Sequence, residues 1–210
     1  MKIISNLIME LRTLKIYGLT GAPGCGKSTV LKLFSDLGRF TLDADSLCAS
    51  IHNTPGGVFH DRIRERWGNS VLNDDGTTKK QKIAEIVFSD PSELQWLEGE
   101  LYPAITEQAN LFFAKLPEDS VAIFEIPLLF ERNWNIGLTG TIAVWSPPAV
   151  QMKRLSERGW SPEESARRCA AQFSADKKLE LADYGIINDD SLEKLKQQCN
   201  ILNNNVFLHG

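Results

Sequence analysis

Short apolar runs rich in β-branched and aromatic residues alternate along the chain with longer segments whose apolar positions recur every three to four residues. The run Lys15 to Leu19 predicts a first strand. A glycine-rich turn follows, then a helix over Lys27 to Leu37 that Gly38 stops at the C′ position. Arg39 to Leu42 predicts a second strand, ending at Asp43-Ala44-Asp45. Val121 to Ile126 and Thr141 to Trp145 read as fully buried strands, and Tyr184 to Ile187 as a fifth. Helices between strands make a βαβ pattern. It predicts a three-layer α/β/α fold around a five-stranded, mostly parallel sheet.

The alternation breaks between Asp45 and Asp119, where every periodic segment is helical: Asp45–Asn53, Val58–Trp67, Thr78–Phe88, Pro91–Glu100 and Pro103–Ala114. This stretch predicts a helical insertion at one edge of the sheet. A second insertion is basic. Ser146-Pro147-Pro148 opens a helix to about Arg158, and Ser161 caps another, with Pro162 at N1 and Glu164 closing a capping box. The expected organisation is a core of residues 15–45, 119–146 and 182–210, a helical domain over 46–118, a small lid over 147–181 and an N-terminal extension, 1–14.

Composition narrows the partners. The chain has 210 residues, 42% of them hydrophobic, so it can bury a core without disulfides or a structural metal. Its net charge of −4 argues against a protein devoted to a nucleic-acid backbone or an anionic membrane. Any anion site must therefore be local. Cys25, Cys48, Cys169 and Cys199 contain no C-x-x-C pair, and His52, His60 and His209 show no ligand spacing; reduced thiols in a cytoplasm fit best. The apolar start is broken by Ser5 and Asn6 and followed by Glu10 and Arg12, unlike a signal peptide, and Met9 is an alternative start. No run reaches the ~18 apolar residues of a membrane span. The expectation is a cytoplasmic protein with no nucleic-acid or membrane partner, a monomer or weak homo-oligomer.

The strongest chemical signal is Gly21-Ala22-Pro23-Gly24-Cys25-Gly26-Lys27-Ser28, which fits G-x-x-x-x-G-K-[ST] between a predicted strand and a predicted helix. Glycines let successive backbone N–H groups wrap an anion, and the helix beginning at Lys27 aims its positive dipole end at it. In this P-loop reading Gly21 to Thr29 bind ATP. Lys27 reaches the β- and γ-phosphates, and the Ser28 hydroxyl ligates Mg²⁺. Cys25 sits inside the cradle, where the helix N-terminus and Lys27 are expected to lower a thiol pKa; a merely permissive position is the plainer reading. D-x-x-G and N-K-x-D are both missing, which argues against a GTPase switch, and Val121 to Pro127 offers only Glu125 where motor-type ATPases carry Asp-Glu. A small kinase remains, with an acceptor domain and a basic lid closing over ATP.

Asp45 follows the second strand at its C-terminal end, where ligands of open α/β sheets bind. A carboxylate there can orient an acceptor hydroxyl and take its proton; helix capping is the alternative for Asp43 and Asp45. Glu125 could hold a magnesium-bound water or simply end a strand. Arg154 and Arg158 fall four apart on one helical face, suited to stabilising charge on a transferring phosphoryl group. A solvated basic face is the alternative for Arg154 and the preferred reading for Arg167.

Gly18-Leu19-Thr20-Gly21 leading into the cradle, Asp43-Ala44-Asp45, and Pro127-Leu128-Leu129-Phe130-Glu131 together resemble the dephospho-CoA kinase family. Gln151-x-x-Arg154-x-x-x-Arg158, Arg168-x-x-x-Gln172 and Ala182-Asp183-Tyr184 running to Asn188 extend the match, in order, from about Ile16 to Asn188. The resemblance implies ATP-dependent phosphorylation of the ribose 3′-hydroxyl of dephospho-CoA, with Asp45, Lys27 and Arg154 as catalytic residues. It adds Arg158 and Asn188 to the ATP site, Asn188 lying in the region that reads adenine in related kinases. It implies an acceptor site drawing on Thr20, Asp45, Lys80, Tyr102, Pro127, Leu128 and Leu129. Pro127 to Leu129 read either as an apolar wall for the acceptor or as a buried core turn. Two positions depart from the family pattern: its His-Pro is Tyr102-Pro103 here, and its Arg is Lys80, within Asp75-Gly76-Thr77-Thr78-Lys79-Lys80. The alternatives are another small-acceptor kinase, of nucleoside monophosphate type, or a non-catalytic ATP-binding regulator.

Overall fold

A computed structural model describes residues 14–208; the N-terminal extension through residue 13, with the alternative start at Met9, and His209 lie outside the described residues. Along the chain run β1 (Lys15–Thr20), α1 (Lys27–Asp36), β2 (Phe40–Asp43), α2 (Ala44–Asn53), α3 (Gly57–Trp67), α4 (Lys80–Ser89) and α5 (Pro91–Phe113). Then follow β3 (Val121–Glu125), β4 (Gly140–Trp145), α6 (Pro148–Glu157), α7 (Pro162–Ala170), α8 (Ala175–Leu181), β5 (Tyr184–Ile187) and α9 (Leu192–Leu202). Among the described residues two compact units result: 14–43 with 116–208, and Ala44–Lys115.

The first unit carries a five-stranded sheet in the order β2-β3-β1-β4-β5. Every pairing is parallel. β1 and β3 sit inside the sheet and read as near-continuous apolar runs, because a central parallel strand is covered on both faces. One face packs on α1 and α9: Val30 and Phe34 meet Tyr17, Leu19, Val121 and Ile123, with Leu195, Cys199 and Phe207 completing the cluster. Burying Phe34 fully stabilises the fold by about 1.5–3 kcal/mol. The side chains that alternate with these point the other way. There Gly18 lies under Leu129 and Leu138, and Phe124 meets Trp134 at a tilt, ring centroids 6.5 Å apart, so the turn-rich segment after β3 covers this part of the sheet.

Strand order also places the site. β1 connects toward β2 while its neighbour β4 connects toward β5, so the two connections diverge and open a crevice at the C-terminal strand ends. Glu125 lies opposite both Leu19 and Asp43 in register, so two carboxylates end adjacent strands on that edge.

The second unit is built from α2 to α5 around Phe59, Ile63, Val71, Ile83, Val87 and Leu97, with Trp67 edge-on to Trp96. Two sequence expectations change here. Pro91–Glu100 and Pro103–Ala114 form one helix, α5, with Pro103 inside it. A proline ring normally breaks a helix at this point. Here Leu97 on one side, and Ile105, Ala109 and Phe113 on the other, are all buried, and that packing holds the axis together. Thr78 is not helical. It bridges Leu72 across a tight turn in which the Gly76 N–H bonds the Asn73 carbonyl at 2.9 Å and Gly76 has φ +83°, and α4 starts only at Lys80.

His52 and His60 are core residues of this unit. The His52 Nδ1 lies 2.9 Å from the Thr78 hydroxyl, and its ring stands edge-on to Phe59. Burial first, then the nearby Lys80 and His60, lower its pKa to about 4. The folded state therefore disfavours protonated His52, so its stabilising contribution is complete above the ordinary value near 6.5 and is lost as pH falls toward 4. Each pH unit in that window costs up to about 1.4 kcal/mol. Urea midpoints measured between pH 7.5 and 4.5 should fall more steeply for the natural chain than for His52→Gln; parallel slopes would remove His52 as the cause.

Candidate active site

The cradle forms where β1 ends. Cys25 N–H closes a tight turn on the Ala22 carbonyl at 3.2 Å, and the Thr29 and Val30 N–H groups both bond the Gly26 carbonyl at 3.1 Å. Gly26 occupies the N-cap with φ +94° and has no side chain to cap the helix, which leaves the Lys27 and Ser28 N–H groups for a ligand. Space demands glycine as well. A Cβ at Gly26 would stand 2.2 Å from the Asn188 amide nitrogen, and one at Gly24 would stand 2.7 Å from the Gln151 carbonyl oxygen. The Lys27 ammonium donates to the Gly21 carbonyl at 3.0 Å. Ser28 and Thr29 are exposed on the first turn of α1, while Ala22 is buried and Pro23 half-buried.

Behind the loop lies a polar network. Arg154 Nη1 donates to the Gly24 carbonyl at 3.2 Å, the Cys25 carbonyl at 3.4 Å and the Ser146 hydroxyl at 3.0 Å. Its Nη2 reaches the Asn188 carbonyl and side-chain oxygen at 3.4 and 3.3 Å. Asn188 Nδ2 donates to the Cys25 carbonyl at 2.8 Å, and the Ser146 hydroxyl donates to the Asn188 carbonyl at 2.7 Å. Gln151 fixes the turn into α6 through the Ser146 carbonyl at 2.6 Å. Arg154 and Asn188 are thus drawn onto the cradle backbone, whereas Arg158 is exposed at the end of α6.

Burial reverses one expectation. Cys25 is fully buried, and desolvation raises its thiol pKa despite the lowering pull of Lys27 and the hydrogen bond from Ser146. The capping box at Ser161 is also half realised. Its hydroxyl accepts the Glu164 N–H at 3.1 Å, but the Glu164 carboxylate pairs with Arg168 at 2.8 Å, and that guanidinium lies over the Trp160 ring.

Of the predicted acceptor residues, Thr20 and Pro127 meet within the first unit, the Thr20 hydroxyl donating to the Pro127 carbonyl at 3.2 Å. Leu129 is wholly buried and belongs to the core, while Pro127 and Leu128 are half-buried. Asp45 is exposed in the first turn of α2, two residues beyond the end of β2. In the second unit the Cys48 thiol pKa is raised first by burial, then by Asp45, and lowered by Lys80, so both charges act on this thiol. Lys80 is exposed beside a basin of about 640 Å³ also lined by Asn53, Asn73, Lys79 and Lys82. Tyr102 is half-buried in α5.

Sequence reasoning gave Ser146 only as a helix opener and Gln151 only as part of the family match, and it missed Lys178. Lys178 is fully buried, donating to the Pro127 carbonyl and the Gln172 side chain and pairing with Glu131 at 3.1 Å. The available signal was phase: Lys178 stands three residues after buried Ala175 on a short helix, at a position where an apolar residue is expected.

No helix among the described residues is long and apolar enough to cross a membrane. Comparison with known proteins agrees with the geometry. Dephospho-CoA kinase of Aquifex aeolicus is 35% identical over 185 residues, covering 88% of this chain and 94% of the relative. That of Syntrophotalea carbinolica is 37% identical over 186 residues, covering 87% and 88%. A solved Thermus thermophilus protein superposes with TM-score 0.75 at 30% identity, over 92% of this chain and 98% of that one. Dephospho-CoA kinase of Campylobacter jejuni shares the fold at TM-score 0.67 and 24% identity, over 92% and 97%. With the dephospho-CoA kinase family profile matched over residues 15–194 as well, the chain belongs to that family.

Proposed function

We propose that the chain transfers the γ-phosphoryl group of ATP to the ribose 3′-hydroxyl of dephospho-CoA, giving coenzyme A and ADP. The observation that carries the ATP half is the glycine cradle, whose carbonyls are held from behind and whose helix N-terminus no side chain caps. Phosphoryl transfer asks mainly for positioning and charge neutralisation. Lys27 supplies mobile positive charge at the phosphates. Arg154 acts by holding the loop in shape, and its charge adds to the local field.

Asp45 is the proposed base. It follows Asp43, the last residue of β2, by two positions and is an exposed residue of the first turn of α2. The donor set also suits magnesium. Ser28 is an exposed hydroxyl, and among the described residues no cluster of three or more metal-ligating side chains occurs. Magnesium commonly takes one or two protein oxygens and completes its shell with phosphates and water. Ser28 would hold it, and the ion would offset charge on the β- and γ-phosphates.

The acceptor half rests on the basin beside Lys80, where three lysines offer charge to the diphosphate of dephospho-CoA. Lysine gives point charge without the bidentate fork of an arginine. Tyr102, in the same unit, adds a hydroxyl, and in the first unit Thr20, Pro127 and Leu128 are the residues proposed to contact the acceptor. The four cysteines are free thiols, which supports a reducing cytoplasm.

ADP release with Mg-ATP and dephospho-CoA, and NMR of the product, test the reading directly. A 3′-phosphate is expected; tight ATP binding without transfer would overturn it. Asp45→Asn should lower kcat by about 10²–10⁴-fold with the KM for ATP little changed, and near-normal turnover would reject Asp45 as base. Lys27→Ala should weaken both turnover and nucleotide binding in a titration. Lys80→Ala should raise the KM for dephospho-CoA about tenfold, an effect that shrinks at high salt, while leaving the KM for ATP in place.

A further inference from the structure

We infer that Lys178 is a positioning residue: its buried ammonium locks the loop Pro127 to Glu131 and the connection Gln172 to Phe173 onto Thr20, the residue that leads into the cradle. This rests on the dephospho-CoA reading above. Lys178 is fully buried on α8, and four oxygens from three separate segments surround its nitrogen. They are the Pro127 carbonyl, the Gln172 side chain at 3.0 Å, Glu131 Oε1 at 3.1 Å and the Thr20 hydroxyl at 3.4 Å. Glu131 Oε1 also accepts the Phe173 N–H at 2.8 Å, so the carboxylate grips the same connection from the other side.

This arrangement is poorly suited to stability alone. A buried ion pair roughly balances its own desolvation, and an apolar pair of equal volume often does better. Here Glu131 Oε2 is in addition buried without a hydrogen-bond partner. Burial pulls the Lys178 pKa down, and Glu131 is the main influence that opposes it. What the pair does provide is register. An ammonium with three protons fixes the relative places of Thr20, Pro127 and Gln172, and two of these belong to the proposed acceptor site. Phe173, in the tethered connection, keeps 40% of its surface exposed, so the tether rather than core packing sets the path of that segment.

The test compares Lys178→Met, Glu131→Gln and the double variant, reading urea midpoint, kcat, and KM for each substrate. Lys178→Met alone should lose midpoint and turnover together, because it strands a buried carboxylate. The double variant should recover most of the midpoint yet keep kcat/KM for dephospho-CoA down by on the order of 10²-fold, with the KM for ATP near the natural value. Recovery of both midpoint and kcat/KM would overturn the positioning role. If the double variant stays unstable, Gln172→Leu decides, since that side chain is only half-buried and loses one ammonium partner. A several-fold fall in kcat/KM for dephospho-CoA at an unchanged midpoint supports the role, and no change overturns it. A natural chain that fails to turn over dephospho-CoA would instead reject the substrate reading, and the positioning role with it.

Discussion

A peptide that presents its N–H to an anion must point its carbonyl the opposite way, because the group is planar. In the cradle those carbonyls face the protein interior, where an unpaired one would cost about 1–3 kcal/mol. The rest of the first unit is arranged around meeting that demand. Ser146 arrives from the end of β4, Asn188 from the end of β5 and Arg154 from α6, and all three converge on Gly24 and Cys25. The strand order makes this possible. With β4 beside β1 and β5 beside β4, the two strand ends that carry Ser146 and Asn188 fall next to the loop they support.

The same convergence settles two charges that looked alike in the sequence. Arg154 and Arg158 share a helical face, and both suit a mobile lid. The packing of α6 against Gly24 separates them: Arg154 is bound to the loop backbone and Arg158 stays in solvent. Cys25 follows from the same packing. Filling the space behind the loop removes water from its thiol, and loss of solvation outweighs two nearby cations. A buried, protonated thiol is inert, which suits a position beside reactive phosphates.

The strands were legible because a parallel sheet covered on both faces produces apolar runs such as Val121 to Ile126, and the cradle because its glycines carry both the turn and the close approach. Pro103 misled because its breaking tendency is local, whereas the buried row from Leu97 to Phe113 that overrides it is tertiary. Thr78 misled because helical periodicity does not register the short turn from Asn73 to Gly76. Lys178 was invisible for a different reason. In the sequence it stands beside Lys177, and only the fold shows that one ammonium is exposed and the other enclosed by acceptors from three segments.

Local preference is violated most plainly where α4 begins. Lys79 holds the N-cap without a capping side chain, the first turn contains no acidic residue, and Lys80 and Lys82 follow. Cations at a helix N-terminus oppose its dipole by about 0.3–1 kcal/mol each, and a natural sequence usually avoids stacking them there. Glu85 answers only one of the three, bonding Lys82 at 3.3 Å. Added negative charge there would relieve both the lysine repulsion and the remaining uncapped N–H groups, which supports the acceptor reading proposed above. In the acceptor site proposed above, three point charges and a helix end would together offer a diphosphate what a single guanidinium offers by geometry.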